Sequence, residues 1–82
     1  MKKYYVYIVK CKDKTLYTGY TVDLKNREAK HNSGEGAKYT RHRCPVKMVY
    51  SEEFKTINEA VKREAEIKKL SRKDKQSLIK PS

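Results

Sequence analysis

Apolar residues fall into three strand-like runs along the chain. Residues 4–10 are nearly unbroken in β-branched and aromatic side chains, which is typical of a strand buried on both faces. A polar stretch at 12–15 separates this run from a second one at 16–20, and the pair predicts a β-hairpin. Residues 46–54 form the third strand candidate, in which Met48 and Tyr50 are expected to share a face.

Helix signals lie between and after these runs. Asp23 is a suitable N-cap for a helix from 24 to about 32. Thr56 and Glu59 make a capping box that opens a helix reaching about residue 70, and Ser71 opens a short third helix to about 79. The order ββαβαα predicts one α+β domain over residues 1–82, with a small, mainly antiparallel three-stranded sheet flanked by helices.

Charge points to the class of partner. The 82 residues contain 21 Lys and Arg against 10 Asp and Glu, a formal net charge of +11. Such an excess favours a polyanion, since clustered cations release counterions from nucleic-acid phosphates. The alternative is a strongly cationic surface that only keeps the protein soluble.

The sequence shows no clear targeting signal, disulfide pattern or zinc motif. The first three residues lead directly into the first strand-like run, so we expect no signal peptide, no membrane span and a cytoplasmic protein with reduced thiols. Two cysteines are too few for a disulfide scaffold. The two cysteines and two histidines also lack the spacing of a zinc site.

Glu64 is the first ionisable residue expected on an inward helix face. The buried stripe of its helix should contain Ile57, Ala60, Val61 and Ile67, and Glu64 is three or four residues from the last three. A carboxylate in that position is costly unless it is paired or binds metal. The alternative is an ion pair with a nearby lysine at the rim of the core.

Two further groups of polar residues are expected to face the sheet. Leu24, Arg27 and His31 share one face of the first helix, although Arg27 could instead extend to water and His31 could favour the helix C-terminus. On the strands, Tyr7 and Tyr17 are expected on one face, beside a Gly19 that leaves room for a ligand. Ordinary core packing is the alternative for both tyrosines.

These residues carry a family resemblance. Tyr5-Val6-Tyr7, followed ten residues later by Tyr17-Thr18-Gly19, resembles the two-part signature of the GIY-YIG nuclease superfamily. The helix motif Asp-Leu-x-x-Arg-x-x-x-His at 23–31, a basic loop ending at Lys38-Tyr39-Thr40, and Arg63-Glu64 extend the resemblance over residues 4–79. The small, single-domain bacterial YhbQ/YazA-like group is the most similar.

The resemblance implies a metal-dependent endonuclease that hydrolyses phosphodiester bonds in DNA. It implies catalytic roles for Tyr7, Tyr17, Arg27 and His31, with Glu64 holding one Mg²⁺ or Mn²⁺ ion. We expect Tyr7 to be the general base, with its phenolate favoured by cations such as Arg27, His31 or the metal. One departure is Gln76, which stands where many relatives carry an asparagine.

Basic side chains are expected to contact phosphates, which favours selection of substrate structure over sequence. The predicted contact residues are Lys38, Arg41, Arg43, Arg63, Lys68 and Arg72. DNA is the expected partner ahead of RNA, and a protein partner is left open. The alternative functions are a catalytically weak nucleic-acid-binding module and a nuclease subunit that depends on a partner.

Overall fold

The computed structural model describes residues 3–35 and 43–79, which form a three-stranded sheet and three helices. The elements are β1 (Tyr4–Lys10), β2 (Leu16–Thr21), α1 (Leu24–Asn32), β3 (Lys47–Phe54), α2 (Ile57–Lys68) and α3 (Arg72–Ile79). Strand order is β2-β1-β3, and both pairings are antiparallel. The predicted α+β architecture and the order ββαβαα are confirmed. No helix within the described ranges is long and apolar enough to cross a membrane.

The central strand β1 is buried on both faces, as its composition predicted. Residues 6–9 are each at most 2% exposed. Because side chains alternate across a strand, one face packs against Ala60 and Ile67 of α2, and the other packs near Leu24 of α1. The two helices therefore lie on opposite faces of the sheet.

Side-chain caps define the helix starts. The Asp23 carboxylate accepts from an amide of the first turn of α1 at 3.0 Å. The Thr56 hydroxyl accepts from the Glu59 amide at 3.2 Å and donates to the Glu59 carboxylate at 3.0 Å. The Ser71 hydroxyl accepts from an amide of the first turn of α3 at 3.2 Å. Each cap satisfies an amide that lacks a partner within its helix.

The register of β3 differs from the predicted alternation. Ile8 pairs with Tyr50 whereas Val9 pairs with Met48, so Val49 is an extra residue between the two pairs. Such a bulge changes which face the following side chains occupy. Met48 packs on the α1 side and Tyr50 on the α2 side, so the prediction that they share a face was wrong.

The buried stripe of α2 is narrower than predicted. Ala60 and Ile67 are fully buried, but Ile57 is 45% and Val61 40% exposed. At roughly 100° per residue, Ala60 and Ile67 nearly align, while Ile57 and Val61 are rotated by about 60° to 120° from them. The prediction that Ile57 and Val61 point inward was therefore wrong.

Candidate active site

An open cavity of about 370 Å³ lies beside β2, with residues of β1, β2, α1 and α2 in its wall. Four of the predicted functional side chains line it: Tyr7, Tyr17, Arg27 and Glu64. They come from four separate elements, so the fold alone brings them together. At about 100° per residue, Glu64 is roughly 40° to 60° from the buried stripe of α2, which places its carboxylate at the rim rather than within the core.

Tyr7 reaches the cavity by crossing Gly19. The two residues are direct partners in the β1–β2 pairing. A Cβ atom on Gly19 would lie 2.6 Å from the Tyr7 Oη and 2.8 Å from its Cζ. The absent side chain of Gly19 therefore makes room for the Tyr7 ring. Gly19 also lines the open cavity, so the expectation that it leaves room for a ligand stays a prediction.

Gly19→Ala is expected to displace the Tyr7 ring, because Tyr7 is only 2% exposed and has little space to move. Overpacking of this kind typically costs about 1–3 kcal/mol. Urea unfolding gives the change in stability. In a Tyr7→Ala background the same glycine substitution should cost almost nothing, and an equal loss in both backgrounds would contradict this contact.

His31 lies under both tyrosines. Its Nε2 is 3.0 Å from the Tyr7 Oη, and its ring meets those of Tyr7 and Tyr17 edge-on, with centroids 5.8 and 5.5 Å away. His31 is fully buried in the last turn of α1. The hydrogen bond gives the Tyr7 hydroxyl a buried titratable partner, so the two side chains can exchange a proton.

Burial sets the protonation of this pair. It lowers the pKa of His31, and the charge of Arg27 lowers that pKa further. Burial also raises the pKa of Tyr7 well above its usual value. Electrostatic interactions with Tyr17 and Glu64 raise that pKa further, and the charge of Arg27 lowers it. At neutral pH His31 is therefore uncharged and Tyr7 is protonated. Of the cations expected to favour a Tyr7 phenolate, Arg27 lowers the pKa of Tyr7, whereas burial holds His31 in its neutral form.

Glu64 provides the carboxylate of the cavity. Its side chain is 16% exposed, and the Lys68 ammonium lies 3.7 Å from it. Residues 3–35 and 43–79 hold no group of three or more His, Cys, Asp or Glu side chains suited to a metal. A single carboxylate facing an open cavity fits Mg²⁺ or Mn²⁺, which keep several waters, and does not fit a zinc centre. The ion pair between Glu64 and a nearby lysine, predicted as the alternative role of this carboxylate, is also present.

Arg63 is about 100° around α2 from Glu64, and its side chain reaches β3. Its guanidinium forms a close ion pair with Glu52 of β3 at 3.0 Å and a longer one with Glu66 at 3.3 Å. The hydrogen bonds to Glu52 raise the pKa of Arg63. Arg63 thus joins α2 to β3 and does not line the cavity.

The other predicted phosphate contacts are dispersed. Arg43 pairs with Asp13 at 3.0 Å, and the Arg72 guanidinium donates to the Lys14 carbonyl at 2.6 Å. Lys68 pairs with Glu64, which lines the cavity. Lys38 and Arg41 lie outside the described residues.

Gln76 lies in a different part of the molecule. With Lys10, Leu16, Val49 and Ile79 it lines a second cavity of about 260 Å³. It does not reach the cavity of Tyr7 and Glu64. Gln76 therefore lines a different cavity from Tyr7 and Glu64.

Asn32 is a supporting residue that the sequence did not reveal. Its side-chain amide accepts from the Val46 amide at 2.6 Å and donates to the Val46 carbonyl at 3.1 Å. The Cys44 thiol donates to the His31 carbonyl at 2.9 Å. These bonds attach the last turn of α1 to the start of β3 and hold His31 in place. No local pattern indicates them, because the partners are 13 or 14 residues apart.

The cavity belongs to a known domain type. Residues 3–77 match the family model described as the GIY-YIG catalytic domain. The chain belongs to the GIY-YIG family. A UPF0213 protein of Staphylococcus saprophyticus is 60% identical over 79 residues, covering 96% of each chain.

Two solved structures of similar sequence share the fold. The solution NMR structure of a UPF0213 protein from Bacillus halodurans is 49% identical, with a TM-score of 0.61, and covers 94% of this chain and 82% of that one. The solution NMR structure of an E. faecalis protein is 47% identical, with a TM-score of 0.66. The match covers 99% of this chain and 86% of that one. This chain is therefore similar over nearly its whole length to small UPF0213 proteins.

Proposed function

We propose that this GIY-YIG chain is a metal-dependent endonuclease that hydrolyses phosphodiester bonds, in DNA ahead of RNA, and acts in the cytoplasm. The observation that carries the proposal is the Tyr7–His31 hydrogen bond, beside Arg27 and Glu64 in one open cavity. Hydrolysis of a phosphodiester needs a proton acceptor for water and stabilisation of the charge that develops at phosphorus. These four side chains provide both.

Tyr7 acts as the general base with the help of His31. The attacking water forms a bond to phosphorus as the bond from phosphorus to the leaving oxygen breaks, and the water gives its proton to the Tyr7 Oη. The original hydroxyl proton of Tyr7 passes to His31 Nε2, 3.0 Å away. Burial keeps the resting His31 neutral, and in the tautomer that carries its proton on Nδ1 the Nε2 atom accepts this proton. The exchange avoids a free phenolate, which burial of Tyr7 disfavours.

Glu64 would hold the divalent cation. Bound there, Mg²⁺ or Mn²⁺ supplies Lewis-acid stabilisation of the leaving oxygen. Neutralising the Glu64 charge also removes one of the causes that raise the pKa of Tyr7. Arg27 would bind the phosphate oxygens with its planar guanidinium, and Tyr17 would orient the phosphate or the water.

The charge of +11 supports binding to the phosphate backbone. Contacts of this kind position a substrate without reading its sequence, so we propose selection by nucleic-acid structure. Lys38, Arg41, Arg43, Lys68 and Arg72 remain candidates for these contacts. Arg63 is the weakest candidate, because Glu52 holds its guanidinium.

Cleavage of a substrate panel tests the proposal. Labelled single-stranded, duplex and branched DNA of one sequence, with the matching RNA, are incubated with Mg²⁺ or Mn²⁺. We expect cleavage that differs among the structures and cut positions without a sharp consensus. Cleavage at one sequence irrespective of structure would contradict structural selection.

A catalytically weak binding module is the second candidate function. The position of Gln76 away from the cavity favours it, because the family asparagine then has no counterpart from that residue. This candidate predicts salt-dependent binding to DNA without metal-dependent cleavage. A third candidate, a nuclease subunit activated by a partner, predicts cleavage only in cell extract.

Lys68→Met is expected to tighten metal binding, because the ammonium 3.7 Å from the Glu64 carboxylate competes with a divalent cation. We expect several-fold stronger Mn²⁺ binding by electron paramagnetic resonance in the absence of nucleic acid. Lys69→Met is the control, since it removes the same charge one position along the chain. Equal effects of the two substitutions would show that only net charge matters.

A further inference from the structure

Four large apolar side chains in the described part of the chain are more than a third exposed: Tyr20 (38%), Val22 (56%), Ile57 (45%) and Val61 (40%). Tyr20, Val22 and Ile57 also line the cavity of Tyr7 and Glu64, and we call these three residues the apolar shelf. Single exposed apolar residues are common on protein surfaces, but a group at the mouth of a polar site indicates a binding surface.

The apolar shelf extends the cavity along α2. Ile57 is the first residue of α2 and Glu64 is seven residues later, so both project from nearly the same side of the helix. At 1.5 Å per residue they are roughly 10 Å apart along the axis. Tyr20 and Val22 come from the end of β2 and the residue that follows it. A nucleic-acid strand that places its phosphate at Glu64 and Tyr7 would therefore extend its neighbouring nucleotide over the shelf.

We propose that the apolar shelf receives an unpaired nucleobase next to the cleaved phosphate, so that the substrate is a single-stranded segment. This inference depends on the proposed nuclease function. A partner that covers the shelf has to combine apolar surface with negative charge, since the chain carries +11 and Arg27 faces the same cavity. A nucleotide of a single strand has both a phosphate and an exposed base face.

Duplex DNA does not meet this requirement. Its base faces are stacked inside the helix, and only phosphates, sugars and base edges meet a protein. Aromatic side chains that stack on single-stranded bases are sequence-tolerant, because every base has a π-face. The Tyr20 ring supplies such a surface, while Val22 and Ile57 supply apolar contacts to the base or its sugar. The shelf is therefore expected to select unpaired strands without selecting sequence.

The test measures binding in a Glu64→Gln background, so that no strand is cut. Fluorescence anisotropy compares a labelled single strand with its duplex, in metal-containing buffer at one salt concentration. We expect Val22→Ser with Ile57→Ser to weaken single-strand binding by about tenfold or more and to leave duplex binding nearly unchanged. Val61→Ser is the matched control, because Val61 is similarly exposed but does not line the cavity. It should change neither affinity.

A second measurement uses altered DNA in place of a further substitution at the shelf. A series of single strands carries one abasic nucleotide, moved one position at a time along the strand. With the shelf intact, the abasic nucleotide is expected to weaken binding clearly more at one position than at the others. In the protein with Val22→Ser and Ile57→Ser, this difference between positions should disappear. Equal weakening at all positions, or equal losses for single strand and duplex, would overturn the proposal. If cleavage depends on Glu64 but is equal for single strand and duplex, the role proposed for the apolar shelf is contradicted while the proposed nuclease function is supported.

Discussion

Glu64→Gln is expected to lower the cleavage rate by about a thousandfold or more. A bound metal contributes several kcal/mol of transition-state stabilisation, and about 1.4 kcal/mol corresponds to tenfold in rate. Glu64 is the one carboxylate among the described residues that line the cavity, so no other carboxylate there could substitute for it. Glutamine keeps the shape of the side chain but removes its charge, so DNA binding should persist while Mn²⁺ binding is lost.

Glu66→Gln is the matched control for that substitution. Glu66 lies on the same helix and carries the same group, but it pairs with Arg63 and does not line the cavity. Removing the Glu66 charge should leave the cleavage rate within about twofold of the wild-type rate, because exposed ion pairs contribute little. A rate that falls equally in both variants would indicate a general effect of α2 charge rather than a metal ligand.

Tyr7→Phe is expected to lower the cleavage rate by about 10²–10⁴-fold, the usual contribution of a positioned general base. The ring still crosses Gly19, so the fold should be kept, and only the hydroxyl that bonds His31 Nε2 is removed. Single-turnover kinetics separate this effect on chemistry from binding. Tyr50→Phe is the control, since it removes a hydroxyl that also bonds an ionisable partner, Glu52, outside the cavity. A fully active Tyr7→Phe protein would remove Tyr7 from the role of base.

The pH profile of the wild type follows from the same pair. Proton transfer to His31 requires its neutral form, and burial lowers the pKa of His31 below its usual 6.5. The rate should therefore stay level through neutral pH and decrease only below about pH 6.5. Stability should decrease in the same direction, because the unfolded chain binds a proton at His31 more readily than the folded one. Circular dichroism at each pH separates the two effects.

The sequence predicted the fold well because its signals are local. The composition of β1 and the caps at Asp23, Thr56 and Ser71 depend on neighbours within a few residues. The bulge at Val49 was missed, since it depends on how β3 pairs with β1. The exposure of Ile57 was missed for a similar reason. Helical periodicity shows which residues share a face, but the sheet decides how α2 is rotated against it.

The candidate site was predictable in its members but not in its electrostatics. The spacing of Leu24, Arg27 and His31 on one helix face and the motif tyrosines indicated which residues would meet. The protonation of His31 could not be read from spacing, because it depends on complete burial under Tyr7 and Tyr17. The packing of the Tyr7 ring over Gly19 could not be read from the sequence either, because it depends on the register between β1 and β2.

The central claim is that this chain cuts nucleic acid with one divalent metal. The most direct test is a single-turnover cleavage assay of the wild-type protein on an end-labelled single strand, with Mg²⁺, with Mn²⁺ and with a chelator. The account predicts defined internal cleavage products with either metal and none with the chelator. It is contradicted if the protein binds the strand with steep salt dependence yet leaves it intact in every metal, since that result describes a binding module.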